Sequence, residues 1–493
     1  MLTRRDTMKL AAAGLLIPSA RVFAETGTPV ASPAATPVAT PGATPVATQP
    51  SRGSWPMIGG NPARSGVFPG PIPSLEQPII VRWRYEPEDD WISREAPIMA
   101  DGRAYLKADR NIYAINIDNG LEYWRFELSN VYHLTVADGV VYATTANGTI
   151  HAISAESGLE MWRYSDSAAT GDGTPTSSDS SFLSPAVVDG NVIVSGNSAV
   201  LSLDALTGDL IWRFATQWWS THPVVAGGLV LTSNDGGISA LDLHTGQELW
   251  RSSTGEGVLA VVGNIAIAGQ GWAVSGLDLE TGQELWRQTY QDIYDGSLAI
   301  GASHLLFTSF RENDYGTYSG EVQAIDIETG SLLWMLTLGD INDTWDTEMR
   351  VVEDQLFVKI GEPDNQLLVI DVNTGLKTWE YRGYIARIDP VAVDNNLYFV
   401  HDGELFAIGN LLDPTLLTDV TLRAAPAPSG LQRGTASAGD VIDHVGGRAE
   451  SDGELWVEIS VGGVMGWIPA SAIDPATLPP EGDVWVIYDP SWF

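Results

Sequence analysis

Seven charged or imidazole side chains in this sequence could do chemistry together if one element gathered them: Arg94, Glu95, His133, His222, Glu348, Arg387 and Asp389. An imidazole beside a carboxylate can hold a metal ion or pass a proton. The alternative is a wet channel whose charges pair with one another, because structural ion-pair networks imitate sites. The residues are far apart in the chain, so only repetition can bring them together. Aligned on the aromatic or apolar residue of a recurring hairpin (Tyr105, Tyr142, Phe307, Phe357, Tyr398), the chain places Ala96, His133, Ser184, His222, Gly257, Leu298, Glu348 and Asp389 at one equivalent position. Arg94, Glu95, Asp346 and Arg387 fall just upstream. All of them would face one axis. The grouping suggests a ligand-binding mouth and assigns neither a catalytic residue nor a metal ligand.

Other chemistry is narrowed by what the sequence lacks. There is no cysteine, which excludes disulfides, iron–sulfur clusters, c-type haem attachment, thiolate zinc and cysteine nucleophiles. No nucleophile elbow, phosphate-binding loop or His-Glu-x-x-His helix occurs. The segment Asp340-Ile-Asn-Asp343 has some character of a calcium loop but lacks the glycine and terminal glutamate of an EF-hand. The formal charge is −36. Nucleic acid and anionic membranes are therefore poor partners; a solvated acidic surface is the simple reading.

The element that would position these residues is a repeat. Seven times a glycine stands four residues before a tryptophan: Gly120/Trp124, Gly158/Trp162, Gly208/Trp212, Gly246/Trp250, Gly282/Trp286, Gly330/Trp334 and Gly375/Trp379. An eighth tryptophan, Trp83, lies upstream. In the unit from Gly139 to Ser154 two apolar runs flank Asn147-Gly148, a hairpin signal. A second turn follows, spelled Asp-x-x-Thr-Gly in five units, and then a strand carrying the tryptophan. Glycine supplies the positive φ that this turn requires, Asp and Thr can bond its amides, and the indole plugs the space between neighbouring sheets. Each unit reads as a four-stranded antiparallel meander, one blade of a propeller. The last unit lacks a tryptophan strand, so residues 79–85 are expected to complete it and close the ring. The fold class is thus all-β, an eight-bladed propeller over residues 54–412. Trp83, Trp124, Trp162, Trp212, Trp250, Trp286, Trp334 and Trp379 are its structural plugs; seven blades is the alternative.

The Asp-x-x-Thr-Gly-x-x-x-Trp word and the opening Trp55-Pro-Met-Ile-Gly-Gly-Asn-Pro-Ala-Arg64 resemble the repeat family of PQQ-like β-propellers, over roughly residues 55–410. That family holds quinoprotein dehydrogenases and non-enzymatic members similar to the outer-membrane assembly propeller BamB. The first branch implies PQQ and calcium, an aspartate base and a disulfide over the cofactor; the disulfide is impossible in a chain without cysteine. Trp218, Trp219 or Trp272 could flank such a cofactor. Polar insertions at 165–181, 309–320 and 338–347 leave little length for a lid.

The ends carry other signals. Thr3-Arg4-Arg5-Asp-Thr-Met-Lys9, a short apolar run from Leu10 to Ile17, and Val22-Phe-Ala24 read as a twin-arginine export signal over residues 1–24. The run is too short to span a bilayer, which needs about 20 residues. Residues 25–53 are rich in Ala-Thr-Pro and read as an extended linker. After the repeats, Val420-Thr-Leu-Arg-Ala-Ala-Pro426 and Gly466-Trp-Ile-Pro-Ala470 resemble a bacterial SH3-like (SH3b) domain over 417–476. The resemblance implies a cell-wall or peptide groove using Arg423, Trp456 and Trp467; the competing reading is that both tryptophans fill the small barrel. The tail, 477–493, is expected to dock on the propeller as a strand. The reading that follows is an exported, monomeric, non-catalytic propeller that needs no cofactor and recognises an envelope protein, peptide or peptidoglycan glycan. The alternatives are a PQQ-dependent oxidoreductase with calcium, and a hydrolase with a carboxylate site.

Overall fold

The computed structural model describes most of residues 56–473 and the strand 486–488. Residues 1–55, 65–72, 74–78, 166–181, 217–220, 290–297, 313–317, 342–347, 361–365, 383–390, 411–415, 474–485 and 489–493, with scattered single positions, lie outside the description. The described residues belong to the larger of two compact units, Ala47–Phe493. They are all-β: the helix among them is a single 3-10 turn, Ala470–Ala472.

Seven four-stranded antiparallel sheets follow one another over residues 98–127, 131–165, 186–215, 224–252, 257–289, 298–341 and 348–382. In the eighth, strands Val391–Val393, Asn396–His401 and Glu404–Asn410 are joined by Ile79–Tyr85. Strand order equals chain order within the first seven, so each is a meander. The first two strands of a meander meet at turns such as Asp138-Gly139 and Asp189-Gly190, where both central residues have positive φ (49° and 75°, 48° and 75°). This is the type I′ geometry, whose twist matches that of the strands it joins.

The core is a series of clusters, each shared by neighbouring sheets. Tyr105 and Trp124 of the first sheet pack with Leu134, Val141 and Ile153 of the second. Met99 and Tyr113 of the first pack with Val391, Tyr398 and Leu405 of the eighth. At seven of the eight junctions the indole lies on the glycine of the following sheet. A Cβ added to Gly282 would lie 2.4 Å from Trp250, one on Gly246 2.6 Å from Trp212, and one on Gly120 2.7 Å from Trp83. These glycines have φ near +70° (Gly282 69°, Gly246 68°, Gly120 73°), so two separate demands select glycine. The indole N–H also donates to a backbone carbonyl of the same neighbour: Trp83 to Ile117 at 2.8 Å, Trp212 to Leu243 at 2.8 Å, Trp334 to Val372 at 2.7 Å. The turns themselves form as expected. Asp242 Oδ1 accepts from the amide and hydroxyl of Thr245 at 2.8 and 2.7 Å.

Every outer strand carries a one-residue bulge directly before its tryptophan. Ala240 faces Trp250 while Leu241 faces Glu248, so Leu249 has no opposite number; the same skip occurs at Tyr123, Met161, Ile211, Leu285, Leu333, Thr378 and Arg82. The bulge turns that residue to solvent (Leu249 is 53% exposed, Met161 46%) and re-aims the indole inward.

Residues 420–469 form a separate five-stranded antiparallel sheet with its own core of Leu422, Ile442, Val457, Ile459 and Ile468. Val486–Tyr488, from the tail, pairs antiparallel with Ile79 and Ile80 on the outer edge of the eighth sheet. No described helix is long and apolar enough to cross a membrane.

Candidate functional site

The inner strands of the second, third and fourth sheets bring His133, Ser184 and His222 together. The two imidazole centroids are 5.0 Å apart, edge to face. Between them the Ser184 amide donates to His222 Nδ1 at 3.2 Å, and Thr135 Oγ1 donates to Pro185 O at 2.9 Å. A segment that repeat alignment did not place completes the group. Pro56, Pro62 and Ala63 lie against the inner strands of the second, fourth and fifth sheets: the Val136 amide donates to Pro56 O at 2.7 Å, that of Val225 to Pro62 O at 2.8 Å, and that of Val261 to Ala63 O at 2.8 Å. These amides lie on the free edge of the inner strands. Met57, 2% exposed, anchors the segment among Ala186, Val225 and Leu241. The segment ends at Arg64, which adopts φ 54° and donates from Nε to Pro223 O at 3.2 Å and from Nη2 to Ser184 O at 3.5 Å.

The electrostatics follow from this crowding. Burial, then the Lys107 and Arg64 cations, holds His133 down at about 4. Burial, then Arg64 and His133, holds His222 down at about 3. Both rings are neutral at pH 7. Burial lowers the Arg64 guanidinium to about 10, still charged. Lys107 bridges Glu95 Oε1 at 2.6 Å and the carbonyl of Tyr132, and Tyr132 stands edge-on to His133 with centroids 5.5 Å apart.

Of the residues expected at the axis, His133 and His222 converge and Glu95 joins them through Lys107. Glu348 begins the inner strand of the seventh sheet, its Cα opposite that of Lys359. Arg94, Arg387 and Asp389 lie outside the described residues, as do Trp218, Trp219 and Trp272. Arg64 and Lys107 were missed. Arg64 closes the Trp55–Arg64 word and so carried a signal; Lys107 is one of only four lysines in the chain. In the C-terminal sheet, Trp456 is 2% exposed, inside the core, and offers no groove surface. Trp467 is half-buried beside Arg423, its cross-strand partner, and Arg423 donates to Gly430 O at 3.0 Å.

The sheets and their repeated words define a β-propeller of PQQ-like repeats. The family described as Outer membrane protein assembly factor BamB matches residues 81–183, 174–292 and 270–442, and the chain belongs to it. No curated protein gives a significant match. Among solved structures, the quinohemoprotein alcohol dehydrogenase of Comamonas testosteroni is similar over 73% of this chain and 81% of its own, at 14% identity and a TM-score of 0.55. A europium-containing methanol dehydrogenase is similar over 73% of this chain and 98% of its own, at 13% identity and a TM-score of 0.51. The computationally designed Ika8 protein is similar over 67% and 99%, at 19% identity and a TM-score of 0.51. Likeness at these identities establishes the fold alone, and one fold hosts many functions.

Calcium asks for six to eight oxygen ligands. Among the described residues the groups gathered here are two imidazoles, a guanidinium, an ammonium and the Glu95 carboxylate, with no cluster of three metal-ligating side chains.

Proposed function

We propose that this protein is an exported, non-catalytic recognition propeller of the cell envelope. Its eight sheets are the blades of one ring, closed by strand Ile79–Tyr85. A twin-arginine signal, 1–24, and a linker, 25–53, precede it, and an SH3-like module over 417–476 contacts the wall. The ligand is a protein, peptide or glycan met at the axial mouth around His133 and His222. Membership of the family described as an outer-membrane assembly factor carries this reading.

The similarity to a quinohemoprotein alcohol dehydrogenase and to a europium-containing methanol dehydrogenase keeps a PQQ-dependent oxidoreductase as the second reading. Incubating the purified chain with PQQ and calcium and following dye reduction with alcohols and sugars separates the two; turnover overturns the non-catalytic reading. Pull-down on peptidoglycan sacculi tests the wall-contact module. A chain ending at Asp413 should lose retention, and equal retention would remove that role.

A further inference from the structure

The same mouth presents buried polar atoms that the protein itself does not use. Among the described residues nine buried side-chain polar atoms lack a hydrogen-bond partner, and His133 Nδ1, Thr144 Oγ1, Ser195 Oγ and Thr221 Oγ1 are four of them. His133 and Thr144 belong to the second sheet and Ser195 to the third, and Thr221 precedes the first strand of the fourth. His133 and Thr144 are cross-strand partners. The Ser195 carbonyl accepts from the amide of Leu183, next to Ser184. Thr221 precedes His222. Buried polar groups in folded proteins are almost always bonded, so four together mark a place able to bond something else.

The donors give the chemistry. His222 Nδ1 accepts the Ser184 amide, so in the neutral ring the proton sits on Nε2, which is a donor. His133 offers Nδ1, and Thr221 a hydroxyl. Arg64 and Lys107 stand close enough to both or one of the rings to disfavour further positive charge there. Imidazole N–H and hydroxyl donors backed by cations suit an acceptor-only anion and repel a metal ion. We propose that the arc His133–Ser184–His222, with Arg64 behind it, receives a carboxylate carried by the propeller's ligand. This rests on the recognition reading above. A peptide C-terminus and a sugar acid present the same group.

Calorimetry on the full chain at pH 7 tests it with four probes: N-acetyl-dialanine, its C-terminal amide, glucuronate and glucose. At least one acid should bind at least tenfold more tightly than its neutral counterpart, and which acid does so identifies the source. His133→Phe should weaken that acid tenfold or more. Thr221→Val should weaken it severalfold with the melting temperature unchanged or higher, because the hydroxyl has no internal partner to lose. Equal binding of acid and neutral probe, no binding of either acid, or binding that survives both substitutions overturns the proposal. Turnover with PQQ and calcium, by contrast, removes the recognition reading and leaves the acid titrations to be judged on their own result.

Discussion

The repeat glycines separate two effects that a sequence merges. Gly139 has φ 75° and nothing within 4 Å of an added Cβ, so Gly139→Ala should cost only the backbone penalty, about 1 kcal/mol. Gly282 has φ 69°, and a Cβ added there would lie 2.4 Å from the Trp250 indole. Gly282→Ala adds overpacking of about 1–3 kcal/mol, so urea midpoints should rank wild type, Gly139→Ala, Gly282→Ala in falling order. Tryptophans divide in the same way. Trp212→Phe strands the Leu243 carbonyl that its N–H bonds at 2.8 Å, whereas Trp456 Nε1 has no partner among the described residues. Phenylalanine at 212 should therefore cost more than at 456, by about 1–3 kcal/mol. The histidine pair makes stability depend on pH. An unfolded histidine titrates near 6.5, while His133 and His222 titrate at about 4 and about 3 in the fold. Between these limits the unfolded chain binds protons that the folded chain refuses. Stability is complete above about pH 6.5 and is lost as pH falls, by about 1.4 kcal/mol per pH unit for each histidine. Unfolding curves from pH 7 to 4 should show this slope, and His133→Gln with His222→Gln should flatten it.

At the scale of the element, the sequence disclosed the meander and its turns because they rest on local chemistry. The Asp-x-x-Thr-Gly word forms the expected bonds, with Asp278 and Asp326 each accepting from a threonine amide and hydroxyl. These bonds pull both carboxyls below the usual range. Two features were not legible. Each repeat glycine meets the tryptophan of the sheet before it; spacing along a chain does not report which neighbour an edge faces. The bulges were also hidden, since a residue such as Leu249 reads as part of an unbroken strand. Of the axial site, the histidines were visible through repeat alignment. Arg64 was not, because it comes from a non-repeating segment whose carbonyls, rather than side chains, attach it to the inner strands.

At the scale of the molecule, the eighth sheet depends on a strand more than 300 positions away: Ile80 pairs with Gly409 and Tyr85 with Leu405. A chain beginning at Glu86 leaves the edge of Glu404–Asn410 unpaired, and an unpaired edge recruits other strands. Size-exclusion chromatography should show association or loss of the monomer, with a lower melting temperature. The docked tail predicts a finer effect. Without residues 477–493, the amides of Ile79 and Ile80 should exchange hydrogen faster, while those of the third and fourth sheets keep their protection.

The seven indole–glycine contacts all run the same way round, each ring lying on the sheet that follows. A duplicated unit would arrive with both a knob and a seat that match those already present. Lineages built on this plan can therefore gain or shed whole units without redesigning any junction, and the burden of adjustment falls on the single place where the first and last strands must meet.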